Sequence, residues 1–170
     1  MDGSSTLHIA HSTCPHDCPS ACALDIEVIG NGAQRAAAQR VAERARASVF
    51  FLGSLPYREM LRRIRSADAL VQTSIGFETQ GMTIFEAATL GTPSIVCDPG
   101  LVAELGSGVW AVPDDETATL AEVLRSAVAD IRDGAAPVPD PSIAERFRQS
   151  SRTAAMLEVY EAARARHAER

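Results

Sequence analysis

The apolar positions of the chain fall into short unbroken runs separated by longer segments with helical spacing. Residues 69–73 (Ala-Leu-Val-Gln-Thr) and 94–97 (Ser-Ile-Val-Cys) are too short for helices and read as buried strands. Between them, residues 74–80 read as a loop, and residues 81–90 as a helix that closes on Gly91-Thr92-Pro93. The same reasoning predicts strands at 26–29, 49–53 and 109–113, with a short one at Thr6–Ala10. Helices are predicted at 33–47, 55–65, 101–105, 118–132, 143–147 and 153–166. Strands alternating with helices predict an α/β domain with a parallel sheet.

Individual residues sharpen that outline. Met60, Leu61 and Ile64 share one helical face and leave Arg62, Arg63 and Arg65 mostly to solvent. Asp114-Asp115-Glu116-Thr117 reads as a cap for the following helix, and Trp110 as a core residue. Residues 134–141, rich in proline and alanine, read as a surface linker. Met156, Leu157, Val159 and Tyr160 form an apolar stripe on the last helix. Gly30-Asn31-Gly32 is a tight strand-to-helix turn, but the third glycine of G-x-G-x-x-G is absent, so a dinucleotide fingerprint is not supported.

Composition narrows the class. At 170 residues with 46% hydrophobic content, the chain has enough apolar surface for one α/β domain with a real core. Its net charge of −6 argues against a general nucleic-acid or anionic-membrane surface. Every basic residue other than histidine is arginine; there is no lysine. No run approaches the length of a transmembrane segment and no signal peptide opens the chain, so the expected location is cytoplasmic. Residues 1–24 read as a loosely ordered leader and residues 25–170 as the folded domain.

The candidate chemistry lies in the loop at 74–80 and the helix after it. In a parallel sheet this loop sits at the carboxyl end of a strand, where open α/β folds bind ligands. Gly76 and Gly81 allow close backbone approach, and the free amides at a helix start suit a phosphate. Glu78 and Glu86 can reach opposite ends of one extended ligand, and carboxylates accept hydrogen bonds from hydroxyl groups. Taken as two arbitrary glutamates, they would be solvated surface charges.

Seven residues separate Glu78 from Glu86, and that E-x7-E spacing resembles retaining glycosyltransferases of the GT-B fold. The flanking blocks F-L-G-S-L-P (51–56), S-A-D-A-L-V-Q-T-S (66–74) and G-T-P-S-I-V (91–96), with Glu104 downstream, resemble family 4 in the same order. The resemblance implies a Rossmann-like three-layer domain, the C-terminal, donor-binding half of a GT-B enzyme, without its first strand and helix. It implies that Glu86 holds the ribose hydroxyls of an NDP-sugar (UDP-, GDP- or ADP-linked), that Glu78 lies near the donor sugar, and that Gly81, Met82 and Thr83 face the diphosphate and sugar. It also places backbone around 51–53 near the nucleotide base. The chain reads E-T-Q-G where the family commonly has E-G-F-G, so Thr79 and Gln80 bear on sugar choice. The N-terminal acceptor domain would have to come from elsewhere, and the isolated chain would transfer sugar weakly or not at all.

A second resemblance is local. Cys14, Cys18 and Cys22, with His8, His11 and His16 nearby, resemble the N-terminal iron–sulfur segment of molybdopterin oxidoreductases. The fourth cysteine of that pattern is missing: Cys97, the only other cysteine, falls in a predicted core strand. No cofactor and no metal is therefore the primary expectation, with an iron–sulfur cluster or zinc on the three cysteines as the alternative. That alternative would make the chain a redox fragment. A third reading is a non-catalytic interaction domain.

Overall fold

The computed structural model describes residues 6–10, 24–76 and 81–168, which form six strands and seven helices. In chain order these are β1 (Thr6–Ala10), β2 (Asp25–Ile29), α1 (Arg35–Ala45), β3 (Val49–Gly53), α2 (Tyr57–Ser66), β4 (Ala69–Gln72), α3 (Met82–Thr89), β5 (Ser94–Val96), α4 (Pro99–Leu105), β6 (Val109–Ala111), α5 (Thr117–Arg132), α6 (Ser142–Arg146) and α7 (Gln149–Ala168). The strands make one sheet in the order β3-β2-β1-β4-β5-β6. That is the order of a doubly wound, Rossmann-like α/β fold.

One strand departs from an all-parallel sheet. β2 pairs parallel with β3, and β4, β5 and β6 are parallel to one another, but β1 is antiparallel to both β2 and β4. Thr6 pairs with Ile29 at the carboxyl end of β2, and Ala10 with Asp25 at its amino end. With Thr6 beside Ile29 and Ala10 beside Asp25, β1 and β2 run in opposite directions along their whole length. Thr6–Ala10, grouped with the leader from sequence, is thus the central strand.

Strand alternation divides the core into two faces. Leu70 of β4 and Val96 of β5 point to one side, against Ile64 of α2, Ile84 and Phe85 of α3, Leu101 and Leu105 of α4, and Ile143 of α6. Val71 and Ile95 point to the other side, against Ala127 of α5, with Trp110, Leu120, Val123 and Leu124 around them. Both β4 and β5 are buried at every position, which is why they read as continuous apolar runs. Thr92, itself buried, donates from Oγ1 to the Ile64 carbonyl at 2.8 Å and ties the turn before β5 to the end of α2.

Several local expectations are corrected by packing. Arg63 is not a mostly solvated side chain: it is about one-third exposed and pairs with Glu27 of β2. The stretch before α5 is organised by Asp114, whose carboxylate accepts from the Glu116 amide and the Thr119 hydroxyl, while Glu116 is the cap residue without a side-chain cap bond. The linker after α5 is not wholly superficial, since Pro139 is buried. Trp110 is partly buried and donates from Nε1 to Asp130 at 2.8 Å, satisfying the polar end of its ring. The stripe of Met156, Leu157, Val159 and Tyr160 on α7 is exposed. Phe147, just after α6, stacks on Phe85 at 4.1 Å between ring centroids and anchors the closing segment onto α3. No helix among the described residues is long and apolar enough to cross a membrane.

Candidate functional site

The parallel strands deliver their carboxyl ends to one edge of the sheet, where the turns after β2, β3, β4 and β5 gather. β1 enters the sheet at that same edge, at Thr6. The edge therefore lies at the point where chain order reverses, between the β2–β3 half and the β4–β6 half.

On the β4 side the geometry is set by two glycines and one aspartate. The chain leaves β4 and reaches Gly76 at φ +68°, a conformation that favours glycine. The Gly76 amide donates to Asp98 Oδ2 at 2.8 Å. Asp98 also caps α4, its Oδ1 accepting from the amides of Gly100 (2.8 Å) and Leu101 (3.1 Å), with Pro99 in the first helical turn. The Gly76 amide, followed by the cap amides, holds the Asp98 carboxyl below its ordinary pKa. Asp98 thus locks the stem of the loop to the start of α4.

The start of α3 differs from that of α4. Its cap residue is Gly81, in the left-handed conformation at φ +48°, buried, and without a side chain to satisfy the first amides. Any Cβ there would lie 2.8 Å from Leu101 Cδ1, so the backbone conformation and the neighbouring helix both favour glycine. Met82 is half-exposed and Thr83 half-buried at this end. Further along, Glu86 is half-buried, and its Oε1 accepts a hydrogen bond from the Tyr57 hydroxyl at 2.7 Å. Tyr57 is the first residue of α2, so the bond links the start of α2 to the middle of α3. Its hydroxyl pKa is raised, first by that bond to Glu86, then by desolvation and by the carboxylate charge.

On the β2–β3 side Arg35 closes the turn. Its guanidinium donates to Asn31 Oδ1 at 2.8 Å and to the Phe51 carbonyl at 2.9 Å, and the Gly30 amide donates to the Gly53 carbonyl at 2.8 Å. The carbonyls of Phe51 and Gly53 are therefore engaged within the fold.

Of the residues singled out from sequence, the structure brings Gly81, Met82, Thr83 and Glu86 onto one short helix at the carboxyl edge. Glu78, Thr79 and Gln80 lie outside the described residues, as do Cys14, Cys18 and Cys22. Among the described residues no group of three or more His, Cys, Asp or Glu side chains could hold a metal ion. Glu104 is an exposed residue of α4. Two participants went unrecognised in the sequence, Asp98 and Tyr57. Asp98 had a readable signal, because Asp-Pro-Gly opening an apolar segment is a helix-start signature. Tyr57 had none, since its partner lies 29 positions away.

Comparison with known proteins adds one finding. The model of the family described as Glycosyl transferases group 1 matches residues 14–130, more than half of the chain. None of the curated proteins matches it.

Proposed function

The chain belongs to the glycosyl transferases group 1, and from that membership we propose that its α/β domain, β1 included, is the donor-binding domain of a retaining, GT-B type family 4 enzyme. The family carries sugar transfer in general and, with it, use of a nucleotide-sugar donor. In the finer reading, the diphosphate of a UDP-, GDP- or ADP-sugar sits on the amides that open α3, beside Gly81, Met82 and Thr83. Glu86 accepts from the ribose hydroxyls. Glu78 and Gln80 lie beside the transferred sugar, with Glu78 nearest the reacting centre. An acceptor-binding domain, from elsewhere in the protein or from a partner chain, completes the cleft, and the expected setting is cytoplasmic.

The observation that supports this reading best is the contrast between two adjacent helix starts. α4 has its first amides satisfied by Asp98, whereas α3 begins at a buried, left-handed glycine that supplies no cap. Uncapped amides and the positive end of a helix favour an anion. A half-buried carboxylate one turn further on, at Glu86, suits hydroxyl donors. In this reading the amides that open α3 meet the diphosphate and Glu86 meets the ribose diol, in the order a nucleoside diphosphate carries them.

Calorimetric titration of the 170-residue chain with UDP, GDP and ADP and their sugar conjugates tests this. One nucleotide should bind, and Glu86→Ala should weaken it by about tenfold or more, the effect of leaving buried hydroxyl groups unpaired. Equal affinity of the variant and the parent would overturn the assignment of Glu86. Rapid sugar transfer by the chain alone would overturn the need for an acceptor-binding partner.

A further inference from the structure

Tyr57 is 60% exposed, so its ring contributes little to the core, yet its hydroxyl is engaged by a carboxylate on another helix. The bond forms because α2 begins at Tyr57, directly after Pro56, and lies beside α3 at the same edge of the sheet. A glutamate side chain has broad freedom in its last torsion, so an untethered carboxylate on a helix samples many planes. A donor on Oε1 removes that freedom while leaving Oε2 and the second lone pair of Oε1 to accept further bonds. Its raised pKa keeps the hydroxyl protonated, and thus a donor, throughout the neutral range.

We propose that Tyr57 is a positioning residue for Glu86: its hydroxyl orients the carboxylate to receive both hydroxyls of one vicinal diol, and so sets affinity for the ribose of the donor nucleotide. The proposal rests on the assignment of Glu86 to the ribose. Tyr57 does not have to touch the ligand. Its contribution is preorganisation of an acceptor that would otherwise lose freedom on binding.

Tyr57→Phe keeps the ring and removes only the hydroxyl, at a position where the exposed ring makes folding insensitive to the change. Binding of the best ribonucleoside diphosphate and of its 2′,3′-dideoxy counterpart is measured by calorimetry for the parent, Tyr57→Phe, Glu86→Ala and the double variant. Tyr57→Phe should raise Kd for the ribonucleotide roughly three- to tenfold, the worth of one hydrogen bond, and leave the dideoxy compound unaffected. The double variant should bind no more weakly than Glu86→Ala alone. A general structural role for Tyr57 would weaken both ligands alike, and that outcome overturns the proposal. Unchanged ribonucleotide affinity in Tyr57→Phe, with Glu86→Ala still weakened, overturns the proposal and leaves the donor site intact. No effect of Glu86→Ala, or no nucleotide binding by the parent, overturns the donor-site reading itself and the proposal with it.

A ligand-free measurement stands beside these. The chain has 2 tyrosines, so in a Tyr160→Phe background the ultraviolet absorbance of tyrosinate reports Tyr57 alone. Its titration midpoint should fall when Glu86→Gln is added. A midpoint that does not move overturns the pairing.

Discussion

Replacing Gly108 with alanine should destabilise this domain more than any other single methyl addition at its turns. Gly108 has φ +67°, and a Cβ built on it would lie 2.5 Å from Pro139 Cα and 2.6 Å from Pro139 N. The left-handed conformation costs an L-residue about 1–2 kcal/mol. The clash is with backbone, which cannot rotate away as a side-chain tip can, so about 1–3 kcal/mol of overpacking adds to it. The sum is about 2–5 kcal/mol, a large share of the roughly 5–15 kcal/mol that holds a typical domain together. The Gly108 carbonyl also accepts from the Ser94 amide at 2.9 Å, so a shift there reaches β5. Gly134 supplies the control: its φ is +68°, close to that of Gly108, but nothing lies within 4 Å of its would-be Cβ. Gly134→Ala should therefore show the cost of the positive φ without the clash. Urea unfolding followed through the fluorescence of Trp110, the only tryptophan, reports directly on β6. Gly108→Ala should unfold at the lower urea concentration of the two, with about 1–3 kcal/mol between them. Equal midpoints for the two variants would falsify the packing of the segment around Pro139 against β6.

Other tests follow from the same geometry. Asp98→Ala should lose about 1 kcal/mol or somewhat more at neutral pH, because the cap of α4 and the tie to Gly76 go together. Since the folded-state pKa of Asp98 is lowered, its contribution is full above the ordinary value of 3.8 and is lost as pH falls through the lower folded value, so parent and variant should converge in acid. A stability gap that persists undiminished in strong acid would count against that role. Cys97 is buried, with its thiol pKa raised by desolvation. In a variant with Cys14, Cys18 and Cys22 changed to serine, an aromatic disulfide reagent should label Cys97 at least about a hundredfold more slowly in the native than in the unfolded chain. Labelling at the unfolded rate would place Cys97 outside the core.

Much of this architecture was legible in the residues because it depends on local chemistry. β4 and β5 were visible as apolar runs, since strands buried on both faces need apolar side chains at successive positions. The start of α3 was visible because the left-handed conformation at Gly81 favours glycine, and Gly91-Thr92-Pro93 marked its end. The spacing from Glu78 to Glu86, with its flanking blocks, pointed to a glycosyltransferase, and the match to the glycosyl transferases group 1 agrees with that general assignment.

Contacts between distant parts of the chain were decided only by the tertiary structure. Whether Thr6–Ala10 would join the sheet, where, and in which direction, depended on Ala10 meeting Asp25, not on any property of the five residues themselves. Arg63 looked like a surface charge until β2 brought Glu27 beside it. Phe147 gave no sign of its stack on Phe85, nor Tyr57 of its bond to Glu86. Periodicity and turn chemistry record how each segment folds against an apolar or aqueous environment. They do not record which partner fills that environment, because a hydrogen bond or ring stack across tens of residues is set by where the sheet places its neighbours.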